Sequence, residues 1–117
     1  MKAARFSFVL VISVLLFSCE KDMATEPMCV EIVSYSEKIQ PLIEMNCSTS
    51  NCHDVWTAQG GINLDSYEGV YDNADKILSV IQLGETNSGL MPLGGPKLAD
   101  SSIRHFNCWS NHGKLNN

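Results

Sequence analysis

Cys47-Ser48-Thr49-Ser50-Asn51-Cys52-His53 is the stretch on which the reading of this chain turns. Two thiols are separated by four small or polar residues, and an imidazole follows the second at once. A histidine directly after a cysteine pair is the arrangement that attaches haem c. Each thiol adds to a vinyl group, and the imidazole beside them ligates the iron. The common spacer has two residues, whereas this one has four. A longer loop still reaches both vinyl groups if it bulges outward, and Ser48, Thr49, Ser50 and Asn51 all tolerate turns. Two other readings stay open at this point. The cysteines could be half-cystines beside an unrelated histidine, or zinc ligands completed by a fourth such as Cys108. Adjacent Cys52 and His53 suit one tetrahedral ion poorly, because neighbouring side chains diverge.

A haem held through His53 needs an opposite ligand, often a methionine thioether. Gly89-Leu90-Met91-Pro92-Leu93-Gly94-Gly95-Pro96 offers one in a loop stiffened by two prolines, with glycines that let backbone lie close to a flat ligand. Core methionines are commoner on helices, where they fill gaps. Met23, Met28 and Met45 are worse placed, so Met91 is the expected distal ligand. Ile62, Leu64, Leu78, Ile81, Leu90 and Leu93 are expected to form an apolar surround that excludes water from the iron. Trp56 is positioned to shield the haem edge or to stand on the surface. His105 and His112 read as solvated side chains of a terminal helix, with His112 suited to its C-terminus.

At this level of detail the chain resembles the small lipoprotein cytochromes c of Gram-negative bacteria. The resemblance rests on Cys47–His53, on Gly60-Gly61-Ile62-Asn63-Leu64-Asp65-Ser66-Tyr67-Glu68-Gly69-Val70, on Met91-Pro92-Leu93-Gly94-Gly95, and on the ending from Cys108-Trp109 to Asn117. It covers roughly residues 30–117, and the blocks fall in the expected order. The four-residue spacer occurs in that family. The resemblance implies an all-α, class I cytochrome c-like fold, with three to five short helices around one covalently attached haem. It further implies Cys47 and Cys52 as attachment points, His53 as proximal ligand and Met91 as distal ligand. The function expected is a membrane-tethered carrier of single electrons between redox protein partners, not an enzyme. A haem-free, disulfide-stabilised lipoprotein serving as a binding or scaffold module is the alternative.

The N-terminal segment agrees with export. Lys2 and Arg5 precede an apolar run, Phe6–Phe17, too short to span a membrane and suited to a signal peptide. Leu16-Phe17-Ser18-Cys19 resembles the lipobox of bacterial lipoproteins, so residues 1–18 are expected to be removed and Cys19 acylated. Acyl chains contribute about 0.8 kcal/mol per buried methylene, enough for several to hold a domain on a bilayer. Residues 19–29 read as a tether, and the haem domain is expected over 30–117, facing the periplasm or the cell surface.

The whole chain has 117 residues, 44% hydrophobic, with a formal charge of −5. Residues 1–18 hold two bases and no acid, so residues 19–117 carry six bases, thirteen acids and a charge of −7. That balance excludes a phosphate-neutralising stripe and with it a nucleic-acid partner. No paired carboxylates, nucleophile–base combination or phosphate-cradling loop stands out.

Ser34-Tyr35-Ser36-Glu37 is a capping box opening a first helix that Pro41 should bend and that should end at Cys47. Residues 54–64 read as a loop. Tyr67–Tyr71 and Asp75–Leu83 read as two helices, and a last helix is expected from Asp100 to near His112, with Gly113 left-handed. The first and last helices should cross and pack, and the haem should supply much of the core. If haem takes Cys47 and Cys52, counting leaves Cys29 and Cys108 as a disulfide pair.

Overall fold

The computed structural model describes residues 29–117. The expected signal peptide, the acylated Cys19 and the tether up to residue 28 lie outside the described residues. What is described is helical, with no strand among the described residues.

The first helix starts where its capping box places it. Ser34 Oγ accepts the Glu37 N–H at 3.3 Å, satisfying one of the amides that a helix start leaves without a partner. The chain then makes a π-helical turn, Tyr35–Ile39, before settling into α1, Gln40–Asn46. Pro41 explains the wide turn. It has no N–H for the Glu37 carbonyl, and in a regular helix its ring would crowd that oxygen. One extra residue in the preceding turn relieves the conflict, and the Gln40 N–H bonds the Tyr35 carbonyl instead. Leu42 and Ile43 are buried on α1, and Cys47 caps its end.

One expectation needs correcting here. The two helices read between residues 67 and 83 are a single α2, Tyr67–Ile81. Val70, Ala74, Ile77 and Ile81 form one buried face across the expected gap. In the expected gap, the Asn73 side-chain amide turns back onto the Gly69 carbonyl at 2.9 Å. Ser66 Oγ caps the helix by accepting the Gly69 N–H at 3.1 Å. Gly69 is required for a second reason. A Cβ there would lie 2.2 Å from the Asn63 carbonyl oxygen, so only glycine lets α2 rest against the 62–64 segment.

The last helix, α3, spans Asp100–Asn111, with His112 as its C-cap and Gly113 left-handed at φ +88°. Ala99, not an acid, holds its N-cap position and makes no side-chain bond; Asp100 lies in the first turn. As expected, the first and last helices pack, through the π-helical turn. Tyr35 meets Trp109 with ring centroids 5.6 Å apart, and Phe106 meets Trp109 at 5.4 Å. Trp109, Phe106, Ile39, Ile43, Val70 and Ile81 are almost wholly buried. Each such side chain contributes about 1.5–3 kcal/mol. These side chains bury one another and make up the core between the first helix, α2 and α3.

Cys29 and Cys108 form the disulfide reached by counting, with Cα atoms 5.3 Å apart at a sequence separation of 79. Linking positions so far apart removes much entropy from the unfolded chain, on the order of 4 kcal/mol. Reduction, or Cys29→Ala with Cys108→Ala, is expected to lower stability by about that amount in denaturant titration. Two free thiols from this pair in the denatured, unreduced protein would overturn the bridge. Gly69→Ala is expected to cost about 1–3 kcal/mol by forcing α2 off the Asn63 carbonyl, measured in the same titration.

Candidate functional site

The motif begins where α1 stops. The Cys47 N–H donates to the Ile43 carbonyl at 2.8 Å, so the thiol is delivered by the helix end and is buried. The spacer then folds out and back. Cys52 N–H reaches the Thr49 carbonyl at 3.0 Å, and His53 N–H returns to the Cys47 carbonyl at 3.1 Å. Asn51 is left-handed at φ +68°, a conformation asparagine adopts more readily than most residues. Ser50 and Asn51 are exposed, so the extra residues bulge outward. Both thiols are free, Cys47 buried and Cys52 exposed.

His53 is half-buried and held by its Nδ1, 3.1 Å from the Ile62 carbonyl. A carbonyl only accepts, so Nδ1 carries the proton and Nε2 of the neutral ring keeps its lone pair for another partner. That is the arrangement by which proteins orient a metal-binding imidazole. The 54–64 loop makes it possible. Gly60 and Gly61 turn the chain at φ +67° and +75°, and the Leu64 N–H then donates to the His53 carbonyl at 2.8 Å. Gln59 N–H bonds the Cys52 carbonyl at 2.9 Å. Two carboxylates brace the loop: Asp54 accepts the Thr57 N–H, and Asp65 accepts the Val55 N–H. The bonds from Thr57 hold the Asp54 carboxyl below the usual range for aspartate.

Met91 belongs to a second loop. Its N–H donates to the Val80 carbonyl at 3.4 Å, and its half-buried side chain packs on the core. Cys47, Cys52 and His53 are brought together by one loop, and no hydrogen bond joins that loop to the one bearing Met91 among the described residues. Of the expected apolar surround, Leu64, Ile81 and Leu90 are buried, and Ile62 and Leu78 half-buried. Leu93 departs from it. It stands on the Pro92–Gly95 turn and is 73% exposed. Trp56 faces solvent at 92% exposure, its neighbour Val55 is exposed, and so is Met45 two residues before Cys47.

Cys108 is taken by its disulfide and is no zinc ligand. Among the described residues no three His, Cys, Asp or Glu side chains converge on one point. His112 is engaged elsewhere, its Nε2 3.0 Å from the Cys29 carbonyl. Two unpaired thiols, an imidazole anchored through Nδ1 and bare apolar side chains beside them make a donor set that fits a haem. The Ile62 carbonyl and the close approach at Gly69 were not read from the sequence; the Gly60-Gly61 pair, which turns the loop back toward His53, was the available signal.

Burial and the neighbouring Cys52 push the Cys47 thiol up to about 11. A raised value keeps the thiol protonated, so its thiolate appears only as pH climbs toward that value. In the haem-free chain, iodoacetamide labelling of Cys47 at about pH 8 is expected to run on the order of 100-fold slower than that of an ordinary thiol. Mass mapping checks this, and labelling as fast as a small-thiol control would contradict it. Comparison of the chain with models of known families, with curated proteins and with solved structures gives no match.

Proposed function

We propose that this chain is a monohaem c-type cytochrome that carries single electrons outside the cytoplasm, tethered to a membrane by lipid on Cys19. The observation that carries the proposal is the His53 imidazole, fixed through Nδ1 to the Ile62 carbonyl beside two thiols left out of the disulfide. Cys47 and Cys52 would hold the haem through thioethers, His53 through Nε2 and Met91 through its sulfur. When bound, the haem iron supplies a one-electron couple between its ferric and ferrous forms.

The chain's own residues have separate tasks in this reading. The Ile62 carbonyl keeps the imidazole in one tautomer and one orientation through both redox states. A thioether favours ferrous iron, so Met91 raises the potential relative to a second histidine. Leu64, Leu78 and Leu90 keep water from that side and act in the same direction. With His53 and Met91 both holding the iron, no place would be left on it for a substrate, which would suit a carrier and not an enzyme. The class I cytochrome c-like arrangement belongs to this proposal. It is supported by the helix order and by the packing of the first helix on the last.

The haem-free binding or scaffold module has one observation in its favour. The core packs around Trp109 and Phe106 and is bridged by Cys29–Cys108, a staple typical of small exported domains. One experiment separates the two. The chain is made with haem-attachment machinery, run on a denaturing gel and stained for haem. Covalent haem is expected, and Cys47→Ala with Cys52→Ala should abolish it. A chain that exports without staining would leave the scaffold reading. Met91→Ala is expected to keep the haem and lower the potential; an unchanged redox titration would refute Met91 as ligand.

A further inference from the structure

Among the described residues one buried side-chain polar atom is left without a hydrogen-bond partner, and it is Nδ1 of His112. This histidine touches both halves of the disulfide. Its backbone N–H donates to the Cys108 carbonyl at 3.0 Å, and its Nε2 stands 3.0 Å from the Cys29 carbonyl. A carbonyl only accepts, so Nε2 carries the proton, and in the neutral ring Nδ1 keeps a lone pair with nothing to receive. A buried acceptor in that condition is costly and calls for an explanation.

Two ordinary explanations lack support. A buried water needs about two to four polar partners, and no second orphaned atom stands among the described residues to share one. A metal ion needs further ligands, and no three His, Cys, Asp or Glu side chains converge among the described residues. The disulfide itself supplies a third explanation. Side chains four apart along a helix are neighbours, about 5–6 Å between Cβ atoms, which places the His112 ring beside Cys108. The bond to the Cys29 carbonyl keeps the same ring beside Cys29. While the bridge is closed neither sulfur carries a hydrogen. Once it is open, two thiols stand next to a basic nitrogen that has no other partner.

We propose that His112 Nδ1 is the base for thiol–disulfide exchange at Cys29 and Cys108, closing the bridge by reaction with an external disulfide. Cys29 is half-buried and Cys108 is buried, so Cys29 meets that disulfide first. Its thiolate bonds one external sulfur, the external S–S bond breaks, and one thiol leaves with a proton. His112 Nδ1 then takes the Cys108 proton, the Cys108 thiolate attacks the Cys29 sulfur, and the second thiol leaves carrying that proton. The chain gives up two hydrogens with their electrons, and the external disulfide gains both. The consequence is a choice among pairings. Cys29, Cys47, Cys52 and Cys108 allow three disulfide connectivities. Cys47, buried and pushed up to about 11, offers little thiolate. A base beside Cys108 draws oxidation to Cys29–Cys108 and leaves Cys47 and Cys52 free, as they are found. The proposal goes beyond the carrier reading and does not depend on haem.

The test uses the full chain in neutral detergent, reduced, freed of reductant and mixed with oxidised glutathione at about pH 8. Quenched aliquots are alkylated, and the Cys29 and Cys108 peptides are followed by mass. His112→Gln is the informative variant, because its amide can still donate to the Cys29 carbonyl but supplies no base. Closure of the bridge is expected to slow about tenfold or more in this variant, with little change in the denaturant midpoint of the bridged form. Equal closure rates would overturn the assignment. A second measurement needs no variant. In the chain labelled with ¹⁵N-histidine, Nε2 should be the protonated nitrogen of His112 while the bridge is closed, and reduction should shift the Nδ1 resonance as it gains a thiol donor. A protonated Nδ1 in the bridged chain, or an Nδ1 resonance unmoved by reduction, would also overturn it.

Discussion

The indole of Trp109 is wholly buried, and a buried N–H must find an acceptor. It finds the Leu115 carbonyl at 2.9 Å, which obliges the chain beyond α3 to turn back over its own helix. Gly113 makes the reversal, and the returning strand is caught again where the Tyr67 hydroxyl donates to the Lys114 carbonyl at 2.6 Å. Ser34 and Ser36 hydroxyls then both donate to the Asn117 backbone oxygen at 2.9 Å. One desolvated donor thereby ties α3, the start of α2 and the start of the first helix into a single unit. Tyr35 completes it, edge-on to Tyr67 at 5.0 Å and tilted against Trp109.

The same unit positions the motif. Tyr35 and Ile39, on the π-helical turn, are clamped by the aromatic cluster, so the axis of α1 and hence the place of Cys47 are fixed from the far end. From the other side, Gly69 lets α2 press against the Asn63 carbonyl, and the neighbouring Ile62 carbonyl holds His53. A thiol and an imidazole that are six residues apart in sequence are therefore supported by two different packing contacts. Loop residues positioned by a rigid scaffold in this way are the usual carriers of function.

Local signals made much of this legible in advance. Ser34 and Glu37 announced the first helix, Pro41 its irregular start, and Gly113 the end of α3, because each acts through bonds within a few residues. The gap expected between residues 71 and 75 is absent, because the buried line of Val70, Ala74, Ile77 and Ile81 runs across it as one helical face. Long-range contacts left weaker marks. Pro92 and Gly94-Gly95 mark a turn, but nothing adjacent to Leu93 says that its side chain will face solvent, and nothing adjacent to Ile62 says that its carbonyl will meet an imidazole nine positions earlier. The disulfide was reachable because counting is indifferent to distance.

The packing of the core bears on what the motif cysteines contribute to folding. The largest buried side chains pack on one another, while Cys52, Val55 and Trp56 face outward. Apolar burial and the Cys29–Cys108 bridge supply stability, and of the motif thiols Cys47 lies at the edge of that core while Cys52 is exposed. On these grounds the substitution of both motif cysteines should leave a folded, disulfide-bonded domain, because neither thiol is part of the bridge and Cys52 lies outside the packed core. Any group carried by exposed Cys52 would lie near the surface, within reach of another molecule.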